Sequence, residues 1–266
     1  MANNSMLLAQ RHGLRALVRK YAQSDEDKAL YEALSHNDVQ HVAQAIRQTK
    51  SGEVEFQHLT LRCGERSEQS VHQLELSTEF KYALDLFSLY LALRYCRFQL
   101  DTYHPELVNK VVLPLNIDAL TWAPGNRVLQ QMIRADAEAF AYIIPSLILG
   151  EAPEASAANA NVIATLRAYV ETLCYDIHLP FQAMTFLQSH QPDMLKISLS
   201  IDDQTQRAAL LPLMRFLRSH PLPWIAGRVT SQKELNQYSA LGSSYYFGYF
   251  SDLPTSISFR SFETYT

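Results

Sequence analysis

Short apolar runs that alternate with longer helical stretches constrain the fold of this chain most strongly. The apolar runs occupy residues 111–117, 142–149, 172–177 and 194–200, and a further run begins at Trp224. Most of them are apolar on both faces, which is typical of parallel strands that are covered by helices. With about eight strands, the pattern favours an α/β fold, a TIM-like (β/α)8 barrel, over an open sheet.

The stretch from residue 51 to residue 77 departs from this alternation. Residues 54–62 and 69–77 have the pattern of two strands, and a polar turn containing Gly64 joins them. Two strands that follow each other through a short turn form a hairpin. The sequence therefore predicts one antiparallel strand at the start of the barrel.

Residues 1–50 show helical periodicity ahead of the barrel. Apolar residues fall on one face of the first stretch, and basic residues cover much of the rest: Leu7, Leu14, Leu17, Val18 and Tyr21, against Arg11, Arg15, Arg19 and Lys20. A second helix is predicted over residues 25–48. We interpret residues 1–50 as a helical lead-in that packs on a barrel domain of residues 51–266, because amphipathic stripes usually face a core. The alternative is a docking or dimerisation element.

Composition limits the function classes. The net charge of −4 argues against a nucleic-acid surface over the whole protein, so no direct nucleic-acid partner is expected. Cys63, Cys96 and Cys174 are far apart and fit neither a metal site nor a disulfide framework, which favours a reducing cytoplasm. We expect no signal peptide and no membrane span, because the longest apolar run, residues 139–150, is short and contains a proline.

Chemistry in such a barrel lies at the carboxyl ends of the strands. The polar residues that the predicted strands place there are His72, Glu75, Asn116, Asp118, Glu151, Asp176, His178, Lys196, Ser198, Ser200, Arg228 and Tyr249. Only Glu151 and Asp176 are carboxylates at good positions, whereas a two-metal site needs several. The sequence therefore predicts no metal and no cofactor. Asp176 and His178 suggest acid–base chemistry, but a strand-end pair that faces solvent is the simpler interpretation.

Motifs of other catalytic classes are missing from the sequence. It contains no Gly-x-Ser-x-Gly elbow and no glycine-rich phosphate loop. Glycine is scarce, with 8 residues in 266. Because glycine lets the backbone approach a ligand closely, this scarcity indicates that ligand-cradling loops are missing. No catalytic residue is predicted.

Four segments carry a common signature in a fixed order. They are Phe56-Gln57-His58, Val112-Leu113-Pro114-Leu115-Asn116-Ile117, Pro192-Asp193-Met194-Leu195-Lys196-Ile197, and a closing segment with Ile225-Ala226, Val229, Leu241-Gly242 and Gly248-Tyr249-Phe250. With this order and spacing, residues 54–254 resemble an EAL domain, the barrel of cyclic di-GMP phosphodiesterases. The resemblance implies that Asn116, Asp176 and Lys196 match three members of the family's catalytic set.

The same resemblance implies that most of that catalytic set is lost. The Glu-Ala-Leu signature falls on His72-Gln73-Leu74, and the first glutamate of a Glu-x-x-Glu pair falls on Ile148. The Ala-Glu-Gly-Val-Glu motif falls on Ala226-Gly227-Arg228-Val229-Thr230, which lacks both glutamates. Each lost carboxylate removes a negative charge that offsets the metal ions, so we expect phosphodiesterase activity to be lost. Lys196 is left to pair with Asp176 or Glu151.

We therefore predict a catalytically inactive, EAL-like regulatory protein that binds another protein. The resemblance implies a transcription factor or signalling protein as the partner, in bacterial control of motility, biofilm formation or virulence. The second hypothesis is a non-catalytic cyclic di-GMP receptor, whose candidate contacts are His72, Glu151, Arg228 and Tyr249. The third is an enzyme with altered chemistry at the barrel mouth, built on His72, Asp176 and His178.

Overall fold

Strands β1 to β10 form one sheet that closes into a barrel. The computed structural model describes residues 2–64, 69–149, 156–178, 181, 184–198 and 204–257. The strands are β1 Gln40–Gln48, β2 Val54–Cys63, β3 Gln69–Ser70, β4 Val111–Asn116, β5 Ile143–Ile148, β6 Cys174–Ile177, β7 Met194–Ser198, β8 Trp224–Gly227, β9 Tyr245–Tyr246 and β10 Thr255–Ser256. Around the barrel the order is β1-β9-β8-β7-β6-β5-β4-β2, and the β1–β2 pairing closes it. Short β3 and β10 extend β2 and β1.

The helices lie between these strands along the chain. They are α1 Ala2–Tyr21, α2 Asp25–Ser35, α3 Thr78–Thr102, α4 Ile117–Thr121, α5 Ala123–Ala135, α6 Ala137–Phe140, α7 Ala157–Arg167, α8 Met184–Ser189, α9 Gln204–Ser219 and α10 Gln232–Ala240. Of these helices, none combines the length and apolarity that a bilayer crossing requires. The predicted α/β TIM-like barrel is confirmed.

One barrel strand runs antiparallel to its neighbours, as predicted, but it is not the strand that the sequence indicated. Strand β1 pairs antiparallel with β2 and β9, and the remaining barrel strands pair in parallel. The predicted helix over residues 25–48 is wrong beyond Ser35, because residues 40–48 form β1. Val39, Val42 and Ala45 are spaced as on a helix, but the ladder to β2 overrides that local pattern.

The predicted second strand over residues 69–77 is wrong beyond Ser70. Only Gln69 and Ser70 pair with β2, and a 3-10 turn over Val71–Gln73 follows. The chain then leads into α3, where Ser77 donates to the Asp27 carboxylate from both its backbone nitrogen (3.0 Å) and its hydroxyl (2.6 Å). The segment therefore anchors the start of α2 to the barrel instead of adding a barrel strand.

Helices α1 and α2 share their core with the barrel. Leu14, Val18, Leu30 and Leu34 are buried in the same core cluster as the barrel and its covering helices. The predicted division between residues 50 and 51 falls in the turn between β1 and β2, because the barrel already begins at Gln40.

The interior of the barrel is closed by one layer of side chains. The layer, called the interior layer below, consists of Ile46, Phe56, Val112, Ile144, Cys174, Met194, Ile225 and Phe247. Seven of the eight barrel strands supply one residue each, and Phe247 follows directly after β9. Side chains alternate between the two faces of a strand, so the residues two positions further along point into the barrel mouth.

Candidate functional site

A groove of about 560 Å³ opens at the carboxyl ends of the parallel strands. Its described lining is Gln44, His58, Thr60, Arg62, Ser70, Gln73, Pro114, Ile148, Asp176, His178, Lys196, Ser198, Arg228, Thr230, Phe247, Gly248 and Tyr249. Many of these residues stand two positions beyond the interior layer, as with His58 after Phe56 and Asp176 after Cys174. We call this cavity the mouth groove.

A buried ion pair lies at the base of the mouth groove. Lys196 Nζ lies 2.5 Å from Oδ2 of Asp176, and the two side chains are 6% and 3% exposed. The pair joins neighbouring strands, because Asp176 on β6 stands opposite Lys196 on β7 in the parallel ladder. Two buried opposite charges stabilise each other at this distance, and a ligand that took Lys196 Nζ or Asp176 Oδ2 would have to break the pair.

Two rings enclose the lysine of this pair. Lys196 Nζ donates to Nε2 of His58 at 3.4 Å and lies 6.0 Å from the centre of the Phe247 ring. The rings of His58 and Phe247 pack against each other with their centroids 4.4 Å apart. The ammonium group is therefore held by a carboxylate, an imidazole and an aromatic face.

The second oxygen of Asp176 is left over. Oδ1 is buried and has no hydrogen-bond partner within the described residues. Nε2 of His178 lies 3.8 Å from it, which is too far for a hydrogen bond, and the His178 side chain is 55% exposed. Asp176 is therefore buried beside Lys196, while His178 stands next to it with an exposed ring that makes no hydrogen bond to the carboxylate.

The residues of the mouth groove do not fit a pair of divalent cations. Asp176 is the only carboxylate in the described lining, and its Oδ2 is taken by an ammonium group. No three side chains of the His, Cys, Asp and Glu types converge on one point in the part of the chain that the structure describes. Two-metal hydrolysis needs several converging carboxylates, and the described lining supplies one.

Asn116 does not face the mouth groove. Its Oδ1 accepts from the backbone nitrogen of Asp118 at 2.9 Å and thereby caps the first turn of α4. Its own backbone nitrogen donates to Oδ2 of Asp85 at 2.9 Å. Burial raises the pKa of Asp85 to about 7. The amide that the resemblance matches to a metal ligand therefore ends β4 and starts the next helix.

Arg228 stands in the groove wall on an unusual backbone. Its φ is 62°, in the left-handed region that glycine adopts without strain. The motif that this segment resembles has glycine at this position. An exposed arginine lines the groove there instead, directly after β8.

Gly227 leaves no room for a longer side chain. A Cβ built on Gly227 would collide with Oγ of Ser198 and lie 3.1 Å from the Phe247 ring. The resembling motif has a glutamate here. In this protein, Ser198 and Phe247 fill the space that such a carboxylate would need.

Tyr249 and Arg62 form part of the rim. Nη2 of Arg62 donates to the Tyr249 hydroxyl at 3.2 Å, and Tyr249 is 57% exposed. Nε2 of Gln44 donates to the backbone oxygen of Asp252 at 2.7 Å, which ties β1 to the segment before β10. An aromatic face beside a guanidinium group offers both stacking and charge.

The other predicted site residues are not among the described residues that line the mouth groove. His72 lies in the 3-10 turn over Val71–Gln73, after β3 and not on a barrel strand. Glu75 is exposed on the loop ahead of α3. Glu151 and Ser200 lie outside the described residues. Of the twelve polar residues that the sequence placed at strand ends, six line the mouth groove: Asp176, His178, Lys196, Ser198, Arg228 and Tyr249.

Sequence reasoning missed several lining residues, among them His58, Arg62 and Gln44. His58 and Arg62 follow Phe56 at even spacing on β2, so period-two alternation was a sufficient signal for both. Gln44 had no such signal, because its segment had the spacing of a helix.

The fold is shared with solved structures, although no protein-family model and no curated protein sequence matches the chain. The Bacillus subtilis YkuI protein, with an EAL domain in complex with its substrate c-di-GMP and calcium, has a TM-score of 0.68 at 17% identity and covers 85% of this chain and 57% of its own. Vibrio cholerae LapD, an S helix-GGDEF-EAL structure bound to c-di-GMP, has a TM-score of 0.69 at 16% identity, with 85% and 56% covered.

A third solved structure is similar to this chain in fold, again at low sequence identity. Klebsiella pneumoniae BlrP1, in a complex with manganese and cyclic di-GMP, has a TM-score of 0.63 at 18% identity, with 82% of this chain and 56% of that chain covered. This chain thus spans little more than half the length of these solved chains. At such identities the likeness concerns the fold, and the barrel described above is that of EAL domains.

Proposed function

We propose that this protein is a non-catalytic, EAL-like regulator that acts by binding another protein in bacterial signalling. The observation that carries the proposal is the buried pair of Asp176 and Lys196, separated by 2.5 Å at the base of the mouth groove. It consumes the one carboxylate of the described lining. A barrel with that base keeps its packing and lacks the donors for two-metal phosphodiester hydrolysis.

The charge balance of the mouth groove supports the same proposal. The described lining holds three permanently or normally cationic side chains, Arg62, Lys196 and Arg228, against the single carboxylate of Asp176. A surplus of positive charge disfavours divalent cations at this place. The space next to Gly227 is filled by Ser198 and Phe247, so the groove offers no room for a replacement carboxylate there.

The proposed partner is a transcription factor or another signalling protein, in control of motility, biofilm formation or virulence. The proposed location is the bacterial cytoplasm, which suits three buried cysteines that form no disulfide. A protein that has kept a barrel and its covering helices without a working site still presents a large, specific surface.

Affinity capture of the full chain tests the proposal. The tagged protein is expressed at its native level, purified under mild conditions and passed over a gel-filtration column. We expect one protein to co-elute at a fixed stoichiometry near one to one, and the purified pair to re-form from its separated components. Elution of the chain alone from every growth condition would contradict the proposal.

A non-catalytic cyclic di-GMP receptor is the second candidate, and Arg228 is the observation that favours it. Arg228 keeps a φ of 62° at the groove wall, and strained backbone of this kind clusters at functional sites. Titration calorimetry with cyclic di-GMP separates the two candidates. Saturable heat that is lost in Arg228→Ala and kept in the control Arg215→Ala, an exposed arginine on α9, would support the receptor.

A further inference from the structure

A second cavity lies far from the barrel mouth, between helices α1 and α5. It has a volume of about 490 Å³ and is lined by Gln10, Gly13, Leu14, Leu17, Val128, Gln131, Met132 and Arg134. Leu14 and Met132 are buried and form its floor, while Leu17 and Val128 are half-buried. We call this cavity the α1–α5 groove.

Gly13 holds the α1–α5 groove open. It stands in the middle of α1, where glycine weakens a helix. A Cβ built on it would meet no heavy atom within 4 Å. A side chain at this position would therefore project into the groove without disturbing the packing of α1 against the core.

The two helices that form the groove are strongly basic. The 20 residues of α1 and the 13 residues of α5 include six basic residues and no acidic one. They are Arg11, Arg15, Arg19, Lys20, Arg127 and Arg134. The whole chain has a net charge of −4, so this concentration of positive charge is local. Asp136 and Glu138 lie just after α5, but both contact Arg97.

We propose that the α1–α5 groove binds an acidic amphipathic helix of a partner protein. This inference rests on the proposed function, since it names the surface through which the regulator holds its partner. The apolar face of such a helix packs on the half-buried Leu17 and Val128, above the floor of Leu14 and Met132. Its flanking carboxylates meet Arg134, which lines the groove, and Arg127, one turn from Gln131 on α5, in the helix-in-groove mode of recognition. Helix α5 is 13 residues long, which sets a partner helix of about 20 Å.

Charge and burial argue against other occupants of the groove. A second copy of this chain in a two-fold arrangement would place one basic surface against another. A membrane would need a broad apolar surface, but the apolar residues of the groove are either buried, like Leu14, or half-buried, like Leu17 and Val128. A nucleic acid would satisfy the basic residues and leave the apolar floor without a partner.

Photo-crosslinking in the native cell tests this inference with the full chain. A photoreactive residue, p-benzoylphenylalanine, replaces the exposed Gln131 at the groove rim, and in a parallel variant it replaces Tyr249 at the barrel mouth. Crosslinked peptides are identified by mass spectrometry. From Gln131 we expect a peptide of another protein that is rich in Asp and Glu, with apolar residues at helical spacing.

Two matched variants show whether the groove itself is responsible. Gly13→Phe fills the cavity and is expected to remove the Gln131 crosslink, whereas Gly13→Ala leaves the cavity open and is expected to keep it. Arg127→Glu combined with Arg134→Glu is expected to weaken binding of the identified partner by about tenfold or more. Unchanged melting curves for each variant establish that the fold is intact.

The outcomes separate this inference from the proposed function. Crosslinks from Gln131 to this chain itself, to lipid or to nucleic acid overturn the inference, and so does a protein crosslink that survives Gly13→Phe. A protein crosslink from Tyr249 with none from Gln131 overturns the groove and leaves the proposed function standing. The absence of any protein crosslink from either position overturns the groove, and the proposed function then fails only if the chain also elutes alone in the affinity capture.

Discussion

The interior layer and the mouth groove are built largely by the same strands, but the interior layer is apolar and the mouth groove is lined mainly by polar side chains. On β6 the interior residue is Cys174 and the mouth residue is Asp176; on β7 they are Met194 and Lys196. The interior layer is apolar throughout and closes the barrel. At the mouth, polar groups bind each other: Lys196 contacts both Asp176 and His58.

This difference indicates that the fold of the barrel depends on the interior layer more than on the residues of the mouth groove. The interior layer is built by residues of seven barrel strands and by Phe247 directly after β9, so a change in any of them disturbs the closure. The polar residues of the mouth stabilise the barrel only if they form hydrogen bonds and ion pairs with one another. They can therefore be replaced together by another set of residues that pair equally well. A barrel of this kind keeps its shape after a site at its mouth is rebuilt.

The largest effect is expected for Lys196→Met. The substitution leaves the carboxylate of Asp176, 3% exposed, without its ion-pair partner. Removal of one member of a buried pair costs about 3–5 kcal/mol of unfolding free energy. Urea denaturation at pH 7 measures it. The double variant Lys196→Met with Asp176→Leu is expected to recover most of the loss, and a double variant as unstable as the single one would contradict the paired role.

The interior layer is expected to respond differently to Ile144→Ala. Ile144 is 1% exposed among the other seven residues of its layer. The substitution leaves a cavity and should lower the unfolding free energy by about 2–5 kcal/mol, as buried Ile→Ala changes do. The same urea experiment measures the loss. A second, polar substitution at a neighbouring position of the interior layer should not restore the lost stability. At the mouth, by contrast, a second substitution at Asp176 is expected to restore most of the stability that Lys196→Met removes.

The stability of the protein should depend on pH through Asp85, which accepts a hydrogen bond from the backbone at the end of β4. Burial raises the pKa of Asp85 to about 7 in the folded protein, against about 3.9 in an unfolded chain. Between these two pH values, Asp85 holds a proton in the folded state and has released it in the unfolded state. The stabilisation that this bound proton gives is complete below the unfolded pKa and is lost as the pH rises through the folded pKa. Stability should fall by about 2–3 kcal/mol between pH 5 and pH 7 from this group.

Asp85→Asn isolates that dependence. The amide keeps an oxygen that accepts from the backbone nitrogen of Asn116 and carries no charge. We expect the stability of the variant, measured by urea denaturation at pH 5 and pH 8, to change less with pH than that of the natural protein. Equal slopes for the two proteins would show that Asp85 does not titrate in this range.

The smallest effect is expected for Arg228→Gly. Glycine adopts a φ of 62° without strain, so the unfolding free energy should rise by up to about 1 kcal/mol. A thermal melt measures the change, and Arg228→Ala is the control, because alanine keeps the strain. A loss of stability in the glycine variant would mean that the arginine side chain stabilises the groove wall.

The barrel is predictable from sequence because its parallel strands are apolar on both faces. Val111 to Leu115 and Met194 to Ile197 stand out against the helices that separate them. Strand β1 is not predictable in the same way, because Val39, Val42 and Ala45 satisfy helical spacing and only the pairing with β2 selects a strand. Local periodicity is ambiguous where a strand is decided by its neighbours.

The candidate site is predictable only in part, for reasons that differ between residues. Asp176 and Lys196 stand on adjacent parallel strands, and strand order alone brings them to the same edge. Asn116 has the position of a groove residue, but its amide caps α4, which depends on where the helix begins. Arg62 meets Tyr249 through the antiparallel return of the chain, a contact between residues far apart in sequence.

The central proposal is that the mouth of this barrel does not catalyse phosphodiester hydrolysis, and one measurement tests it most directly. The purified full chain is incubated with cyclic di-GMP and Mg²⁺ or Mn²⁺, and the linear dinucleotide product is quantified by chromatography beside an active phosphodiesterase. Because the one carboxylate of the described lining is held by Lys196, we predict no product above the buffer blank. Metal-dependent product that is lost in Asp176→Asn would contradict the claim.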